Sequence, residues 1–341
     1  NGWYNVLSDP APARQVSGTV RAPWVVLGGG LTGLSAARQL ATHFPNEEIV
    51  LIEAERVGFG TSGRNSGFAL DNFFQGDEVP FVDPELAKSQ MRLCTGGLNL
   101  LRKLVKENDI ECGWHDWGKL HVSAGPDGAM GLEGLKKGYE MLDKEIQELN
   151  HDEVEAVTGS KFYTAGVKCK GTALMNPAAL CRGLGDTLPP NVTLYENTPV
   201  HRLERGQQKR LLTTNGEVVT DQLILCTNVF SPALGFAKSD MVPIVAFASL
   251  TRPMTALEQV EIGGDSNGFG LLPTTHSGST VRRTPDSRIL VRNTWGYGPK
   301  DVSHPALLAQ AQANHIDSIK KRWPKFQDFE MGLEIEHTWG G

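Results

Sequence analysis

The feature that most constrains this chain is a glycine triplet lying between two periodicities. Trp24-Val25-Val26-Leu27 is a short apolar run of strand character that breaks into Gly28-Gly29-Gly30 and resumes as Leu34, Ala37, Leu40 and Ala41 at helical spacing. Pro45-Asn46 stops the helix, Ile49-Val50-Leu51-Ile52 reads as a second buried strand, and Glu53 closes it. The spacing is Gly28-x-Gly30-x-x-Gly33, with the acid 20 residues after Gly33. Each part has a physical role. The first glycine makes the tight turn, the second admits a pyrophosphate to the backbone, and the third lets helix and strand pack closely. The helix N-terminus supplies amide donors and a positive dipole end, and Glu53 can accept from a ribose diol. A glycine triplet alone is a common turn, and Glu53 alone would be a strand-end surface acid. Together, strand, triplet, helix and acid predict a Rossmann-type βαβ unit that binds a dinucleotide.

NAD and FAD present the same ADP ribose to such a unit, so the motif leaves the nucleotide open. Gly58-Phe59-Gly60-Thr61-Ser62-Gly63-Arg64-Asn65-Ser66-Gly67-Phe68 then follows the second strand, where an NAD domain would carry a crossover helix. This small, polar stretch offers N–H groups and hydroxyls to a pyrophosphate and a flavin; the competing reading is a solvated surface loop.

The 341 residues are enough for two lobes, and 38 glycines imply many tight turns. A net charge of −6, with acids and bases mixed along the chain, gives no basic surface for a nucleic-acid partner. The longest apolar runs fall well short of the ~20 residues of a transmembrane helix. Five scattered cysteines without a Cys-x-x-Cys pair argue against a disulfide framework or a structural zinc; no metal site is expected, and a cytoplasmic location fits.

Along the chain, Asp83-Pro84-Glu85 predicts a helix start, and the helix should run to about Glu107 with Leu86, Leu93, Leu100 and Leu104 as its buried stripe, weakened by Gly96-Gly97. Residues 118–123 read as a strand, 132–149 as a helix, and a short helix carries Leu180 and Leu184 after Met175-Asn176-Pro177. Residues 191–228 read as a β-rich insert with a hairpin turn at Asn215-Gly216, followed by a separate buried strand, Leu223-Ile224-Leu225-Cys226. Strands and turns alternate from about 240 to 300, and a helix covers 304–321.

With these residues in place, the chain resembles the D-amino-acid oxidase family of FAD enzymes, which includes sarcosine, glycine and γ-glutamylputrescine oxidoreductases. Besides the glycine motif and the Thr61-Ser62-Gly63-Arg64-Asn65-Ser66-Gly67 loop, the matching residues are Trp3-Tyr4, Gly118-Lys119-Leu120, Asn176-Pro177, Pro199-Val200, Cys226-Thr227-Asn228 and Trp339-Gly340-Gly341. The resemblance implies an α/β fold, with a Rossmann-type FAD-binding domain from 20–80 and 150–235. A second, mixed β-sheet domain for substrate would take 81–149 and 236–330, and 331–341 would begin the return to the FAD domain. It further implies that Val200 meets the adenine side through its backbone and that Thr227-Asn228 close over the cofactor. The expected cofactor contacts are Gly28, Gly30, Leu31, Thr32, Gly33, Glu53, Ala54, Thr61, Ser62, Gly63, Arg64, Asn65, Ser66, Val200, Thr227 and Asn228. Covalent members use a histidine of the early loop or a cysteine near the C-terminus; this loop offers Arg64 and Phe68 instead, so the FAD is expected to be non-covalent. In that family a further segment follows the Trp-Gly-Gly stretch, and the chain is expected to be part of a longer protein.

The expected activity is oxidation of the C–N bond of an amine or amino acid by hydride transfer to the flavin, the imine then being hydrolysed. Oxygen or a quinone would take the electrons. An amino-acid substrate needs a cation for its carboxylate. Arg282 and Arg283 are the candidates, at most one of which can face the flavin, set against a reading of both as solvated strand arginines. His276 is a second candidate, and Trp295 and Tyr297 could form an apolar wall. The alternatives are a flavin dehydrogenase of a hydroxy acid or glycerol phosphate, a nucleotide-binding remnant without turnover and, less well matched, an NAD dehydrogenase.

Overall fold

The computed structural model describes residues 1–72, 83–275, 278–298, 302–327 and 333–341. Helices among them are α1 Gly2–Asn5, α2 Leu31–His43, α3 Pro84–Glu107, α4 Pro126–Met141, α5 His151–Thr158, α6 Pro177–Asp186, α7 Ala256–Ile262 and α8 Pro305–Arg322. The strands are β1 Gly18–Leu27, β2 Ile49–Ile52, β3 Phe68–Ala69, β4 Lys119–Ser123, β5 Ile146–Leu149, β6 Ala165–Cys169, β7 Ala173–Leu174 and β8 Val192–Tyr195. They continue with β9 Val200–Glu204, β10 Lys209–Thr213, β11 Gly216–Leu225, β12 Ile244–Thr251, β13 Phe269–Pro273, β14 Thr280–Arg283, β15 Ile289–Tyr297 and β16 Ile335–Gly340.

Two sheets organise these elements. The first runs β8-β2-β1-β11-β10-β9. Its strands β8, β2, β1 and β11 are parallel, and all four residues of β2 are buried, as a strand covered on both faces requires. The Leu223-Ile224-Leu225 run is no separate strand: it is the second half of β11, half-buried, and β11 pairs with β1 along its whole length. The 191–228 region is therefore no insert, because β8 and β11 sit inside the parallel sheet. At Pro23 the pairing is carried by a side chain, the Thr220 hydroxyl donating to the Pro23 carbonyl at 2.9 Å.

The second sheet runs β16-β12-β15-β14-β13-β4-β6-β5 and is antiparallel except between β13 and β4. On one face Val281, Ile289 and Val291 pack with Ile319 and Trp323 at the end of α8; on the other, Ala248, Leu250 and Leu290 pack with Trp3 and Trp339. β6 belongs to this sheet, although the family resemblance assigns 150–235 to the FAD-binding domain, and β16 forms its edge beside β12.

Three local expectations change. The helix over 84–107 is unbroken through Gly96-Gly97, but Leu86, Leu93 and Leu100 are exposed, and Ala87, Met91 and Leu98 are buried. Heptad spacing identifies residues that share a face; it does not say which face a neighbour covers, and here Leu142 and the core beside α6 meet the Ala87–Met91–Leu98 line. The 132–149 segment starts its helix earlier, at Pro126, and ends it at Met141. Asp143 then takes φ 54°, and residues 146–149 become a strand paired with β6. The 240–300 region holds a helix, α7, whose capping box is Thr255 with Glu258.

Among the described residues, no helix is long and apolar enough to cross a membrane.

Candidate cofactor and substrate site

The glycine turn behaves as its spacing demands. Gly28 has φ 109°, and a Cβ there would press on the Cys226 carbonyl; a Cβ on Gly33 would overlap the Gly28 carbonyl oxygen, so α2 can lie against the end of β1 only without a side chain. Gly30 is the N-cap of α2 and has no side chain to cap it. The Leu31 N–H donates to the Ser62 hydroxyl at 3.0 Å, which ties this turn to the following loop. Thr32 is exposed at the helix start.

Glu53 ends β2 beside the turn. Its carboxylate accepts from the Gly29 N–H at 2.7 Å and the Glu55 N–H at 3.0 Å, leaving lone pairs on both oxygens. Burial raises its pKa, while bonds from the backbone of Glu55, Gly29 and Ala54 pull the other way. The segment before β9 lies against this strand end, with the Asn197 and Thr198 N–H groups donating to the Glu55 and Glu53 carbonyls, and β9 begins two residues later at Val200. Across the turn the Cys226 N–H donates to the Leu27 carbonyl, placing Thr227 beside Gly28. Asn228 takes φ 44° as the chain enters a short 3-10 helix.

The Thr61–Gly63 segment is a 3-10 turn, and the loop beyond it is held from many sides. Asn65 accepts from the Gly67 N–H at 2.8 Å and donates to the Ser62 carbonyl at 2.7 Å. The indoles of Trp3 and Trp339 donate to the Asn65 and Arg64 carbonyls at 2.8 and 2.9 Å. Arg64 reaches the Phe59 and Gly340 carbonyls, and burial lowers its pKa. The Ser66 hydroxyl is buried without a partner among the described residues. This loop is no solvated surface segment, because Trp3, Trp339 and Arg282 hold it from elsewhere in the fold.

Arg282 and Arg283 sit on opposite faces of β14, and both are buried, at 2% and 1% exposure, which removes the reading as solvated arginines. Arg282 Nη1 lies 3.0, 2.9 and 2.8 Å from the Ser66, Gly67 and Met175 carbonyls, and its guanidinium lies over the rings of Trp3 and Phe68. Burial lowers its pKa to about 9, which leaves it charged at pH 7. Arg283 donates to the Gly263 carbonyl on the other face. His276 lies outside the described residues. Trp295 and Tyr297 are exposed near the end of β15.

The model of the DAO family, described as FAD dependent oxidoreductase, matches residues 23–341. The chain belongs to this family. It is therefore an enzyme, a flavoprotein oxidoreductase that uses FAD. It is 26% identical over 354 residues to "Probable oxidoreductase OrdL" of Rhizobium meliloti (strain 1021), covering 99% of this chain and 77% of that one. It is 23% identical to γ-glutamylputrescine oxidoreductase of Escherichia coli (strain K12), covering 97% and 76%. Its fold matches the crystal structure of glycine oxidase from Geobacillus kaustophilus with a TM-score of 0.71 and 18% identity, over 94% of this chain and 82% of that one.

The residues present fit FAD. Gly30 gives the first turn of α2 no side-chain cap of its own, Glu53 keeps acceptor capacity, and the Ser66 hydroxyl is a buried polar atom without a partner among the described residues. Sequence reasoning missed the clamp: Trp3 and Trp339 stand out there only as family-like residues, and Arg282 only as a cation for substrate.

Proposed function

We propose that this DAO-family enzyme oxidises the C–N bond of an amine or amino acid. The observation that carries this reading is the way residues 64–67 are pinned beneath one face of the second sheet by Arg282, Trp3 and Trp339. The reactive end of a cofactor lying along this loop would then lie under that sheet face. Similarity to γ-glutamylputrescine oxidoreductase over 97% of the chain supports an amine substrate.

FAD supplies the two-electron acceptor for the hydrogen on the carbon beside nitrogen. The protein's part is positioning and exclusion of water. In this reading the α2 amides near Gly30, Leu31, Thr32 and Gly33 take the pyrophosphate, with Gly28 making the turn. Glu53 and Ala54 take the ribose, Val200 borders the adenine, and Thr61, Ser62, Gly63, Arg64, Asn65, Ser66, Thr227 and Asn228 enclose the rest. In this reading the loop from Gly58 to Phe68 makes no covalent bond to the flavin, because it contains no histidine or cysteine. Burial also pushes the Cys112 and Cys181 thiols up to about 11 and about 12, far from thiolates. All five cysteines are free, which supports a reducing compartment such as the cytoplasm. Electrons leave to oxygen or a quinone.

An anaerobic screen of flavin bleaching across polyamines, N-methyl amines and D- and L-amino acids tests the reading. Bleaching with ammonia or amine release supports it. Bleaching only by hydroxy acids or glycerol phosphate refutes it.

A further inference from the structure

We propose that the face of the second sheet turned away from the cofactor loop carries a binding site for a small organic oxoanion, a carboxylate or a phosphate ester, with Arg322 at its floor. The cofactor loop lies against the face of β14 that bears Arg282. On the opposite face, Val281, Ile289 and Val291 pack with Ile319 and Trp323 at the end of α8. Beside this packed strip lies a cavity of about 710 Å³, bounded by α8, the start of α4, Phe162 and Tyr163, and the sheet around Ser279 and Asn293. A space of this size is in the range of small-molecule pockets. Amine oxidation makes no use of it, so the site stands or falls apart from that reading.

The floor of the cavity is a cation held by neutral groups. Arg322 is 7% exposed; its Nε donates to the Tyr163 hydroxyl at 2.7 Å, and its Nη1 to the Ser318 carbonyl at 2.9 Å and the Ser318 hydroxyl at 2.6 Å. The guanidinium carbon lies 4.7 Å from the centre of the Phe162 ring, which fixes the plane of the group. Three of the five N–H hydrogens are thus engaged, and the two on Nη2 meet no acceptor among the described residues. Nη2 shares one edge of the planar fork with Nε and the other with Nη1, so its hydrogens point between the Tyr163 and Ser318 hydroxyls. Of the acids on the cavity wall, Asp317 is paired with Lys321 at 2.8 Å, and Asp127 sits in the first turn of α4, at the positive end of that helix. A desolvated guanidinium without a counter-ion is costly, and an anion reaching Nη2 from the cavity would offset that cost.

The hydroxyls around the guanidinium are short of acceptors too. Tyr163 Oη accepts from Arg322 and donates to nothing among the described residues; burial raises its pKa, so it keeps its proton. Ser318 Oγ accepts from Arg322, Ser279 Oγ accepts from the Asn293 amide at 3.2 Å, and the two serine hydroxyls bond to each other at 3.0 Å. One serine must donate in that bond, which leaves the other's hydrogen without an acceptor. The Asn293 side-chain oxygen is taken by the Thr294 hydroxyl at 3.0 Å, which itself accepts from the Asn314 amide at 3.3 Å. Donors therefore converge on this wall, and the group that completes it is an acceptor with several lone pairs. An oxoanion brings those lone pairs together with negative charge, and charge-assisted bonds of this kind are the strong ones. The N-cap of α4, Gly125, has no side chain to cap the helix, so its positive end faces the same cavity. Further out, Pro273 and the exposed Trp295 line the cavity with apolar surface, which suits an anion that is the head of a larger organic body.

Calorimetric titration of the flavin-loaded enzyme with sodium phosphate, sodium acetate and, as a control, sodium chloride at constant ionic strength tests the site, with flavin absorbance followed in parallel. Phosphate or acetate should bind saturably and leave the flavin spectrum unchanged, chloride should give no saturable heat, and the tighter of the two oxoanions assigns the head group. Arg322→Met should raise that Kd about ten-fold or more, the loss expected for a hydrogen bond to a charged group, and Arg322→Lys should raise it less. Ser279→Ala, a smaller change, should raise it about three-fold, and it decides the matter should Arg322→Met lose flavin or its cooperative thermal transition. A wild-type enzyme that takes up neither oxoanion overturns the site, as does a Kd left unchanged by both Ser279→Ala and Arg322→Lys. Binding that shifts the flavin spectrum and survives Arg322→Met belongs to the cofactor face and overturns it equally.

Discussion

Arg282→Met separates a cation that serves substrate from one that holds the cofactor loop. The side chain donates through a single nitrogen to three carbonyls, those of Ser66, Gly67 and Met175. That nitrogen carries two hydrogens, so the three contacts are worth two charge-assisted bonds at most, about 3–6 kcal/mol in all. The Met175 N–H still donates to the Gly67 carbonyl at 3.0 Å, whereas the Ser66 and Met175 carbonyls lose this donor. Methionine also removes the desolvation cost of a buried guanidinium, which offsets part of the loss. The expected net destabilisation is about 2–4 kcal/mol, a large share of the roughly 5–15 kcal/mol that holds a typical domain together. Residues 65–67 would then have to be ordered by the cofactor, at about 1–2 kcal/mol for each residue fixed in full. FAD affinity should therefore fall by roughly ten- to hundred-fold. Urea unfolding of the apo- and holoprotein, with a flavin fluorescence titration, measures both. A variant with wild-type midpoint and wild-type FAD affinity, changed only in KM for a carboxylate substrate, would refute the clamp and restore Arg282 as a substrate cation.

Gly33→Ala should abolish stable flavin binding, since its Cβ would overlap a backbone oxygen that cannot retreat without opening the turn; the flavin-to-protein ratio after purification reads this directly. Glu53→Ala should weaken FAD binding by about 1–3 kcal/mol, the range for hydrogen bonds to a charged group, and an unchanged Kd would mean that the carboxylate serves only the turn. His121 and His315 are buried, with pKa values lowered by burial to about 3 and about 4. The unfolded chain therefore binds protons below about pH 6.5 that the folded one refuses, so stability falls as pH drops from about 6.5 towards 4, by about 1.4 kcal/mol per pH unit for each histidine. Urea midpoints between about pH 7 and 4.5 check this, and His315→Gln should flatten the slope by about one proton.

The βαβ unit was legible because its constraints are local: the steric need for Gly28 and Gly33 and the acid at a fixed distance lie within one supersecondary motif. The length of α3 was legible from its Asp-Pro-Glu start, yet its buried side was not, since Leu86, Leu93 and Leu100 form as good a stripe as Ala87, Met91 and Leu98. Residues 146–149 deceived for a related reason: Ile-Gln-Glu-Leu suits the end of a helix or an edge strand, and only pairing with β6 decides. The α7 helix could have been read, because Thr255 and Glu258 stand at capping-box spacing. Sequence alternation correctly put Arg282 and Arg283 on opposite faces; burial and partners decided what each does, and for Arg282 those partners lie more than 100 residues away along the chain.

Those distant contacts also explain how two sheets can serve one reaction. Residues 64–67 follow the Rossmann β2 strand in sequence, yet their carbonyls are held by Arg282 from β14, Trp339 from β16 and Trp3 from α1. Arg282 and Trp339 project from the same sheet face. Three donors on separate elements fix the height of the cofactor loop against that face. Any shift of the second sheet would move Arg282 and Trp339 together, so the spacing of the two donors that this sheet aims at the loop is set by strand pairing, a length that side-chain motion changes little. The unfolded chain has no such ruler. The geometry of the loop depends on pairing β12, β14, β15 and β16 in register, and a one-residue slip of β14 would turn Arg282 to the α8 face and leave the loop without its cation.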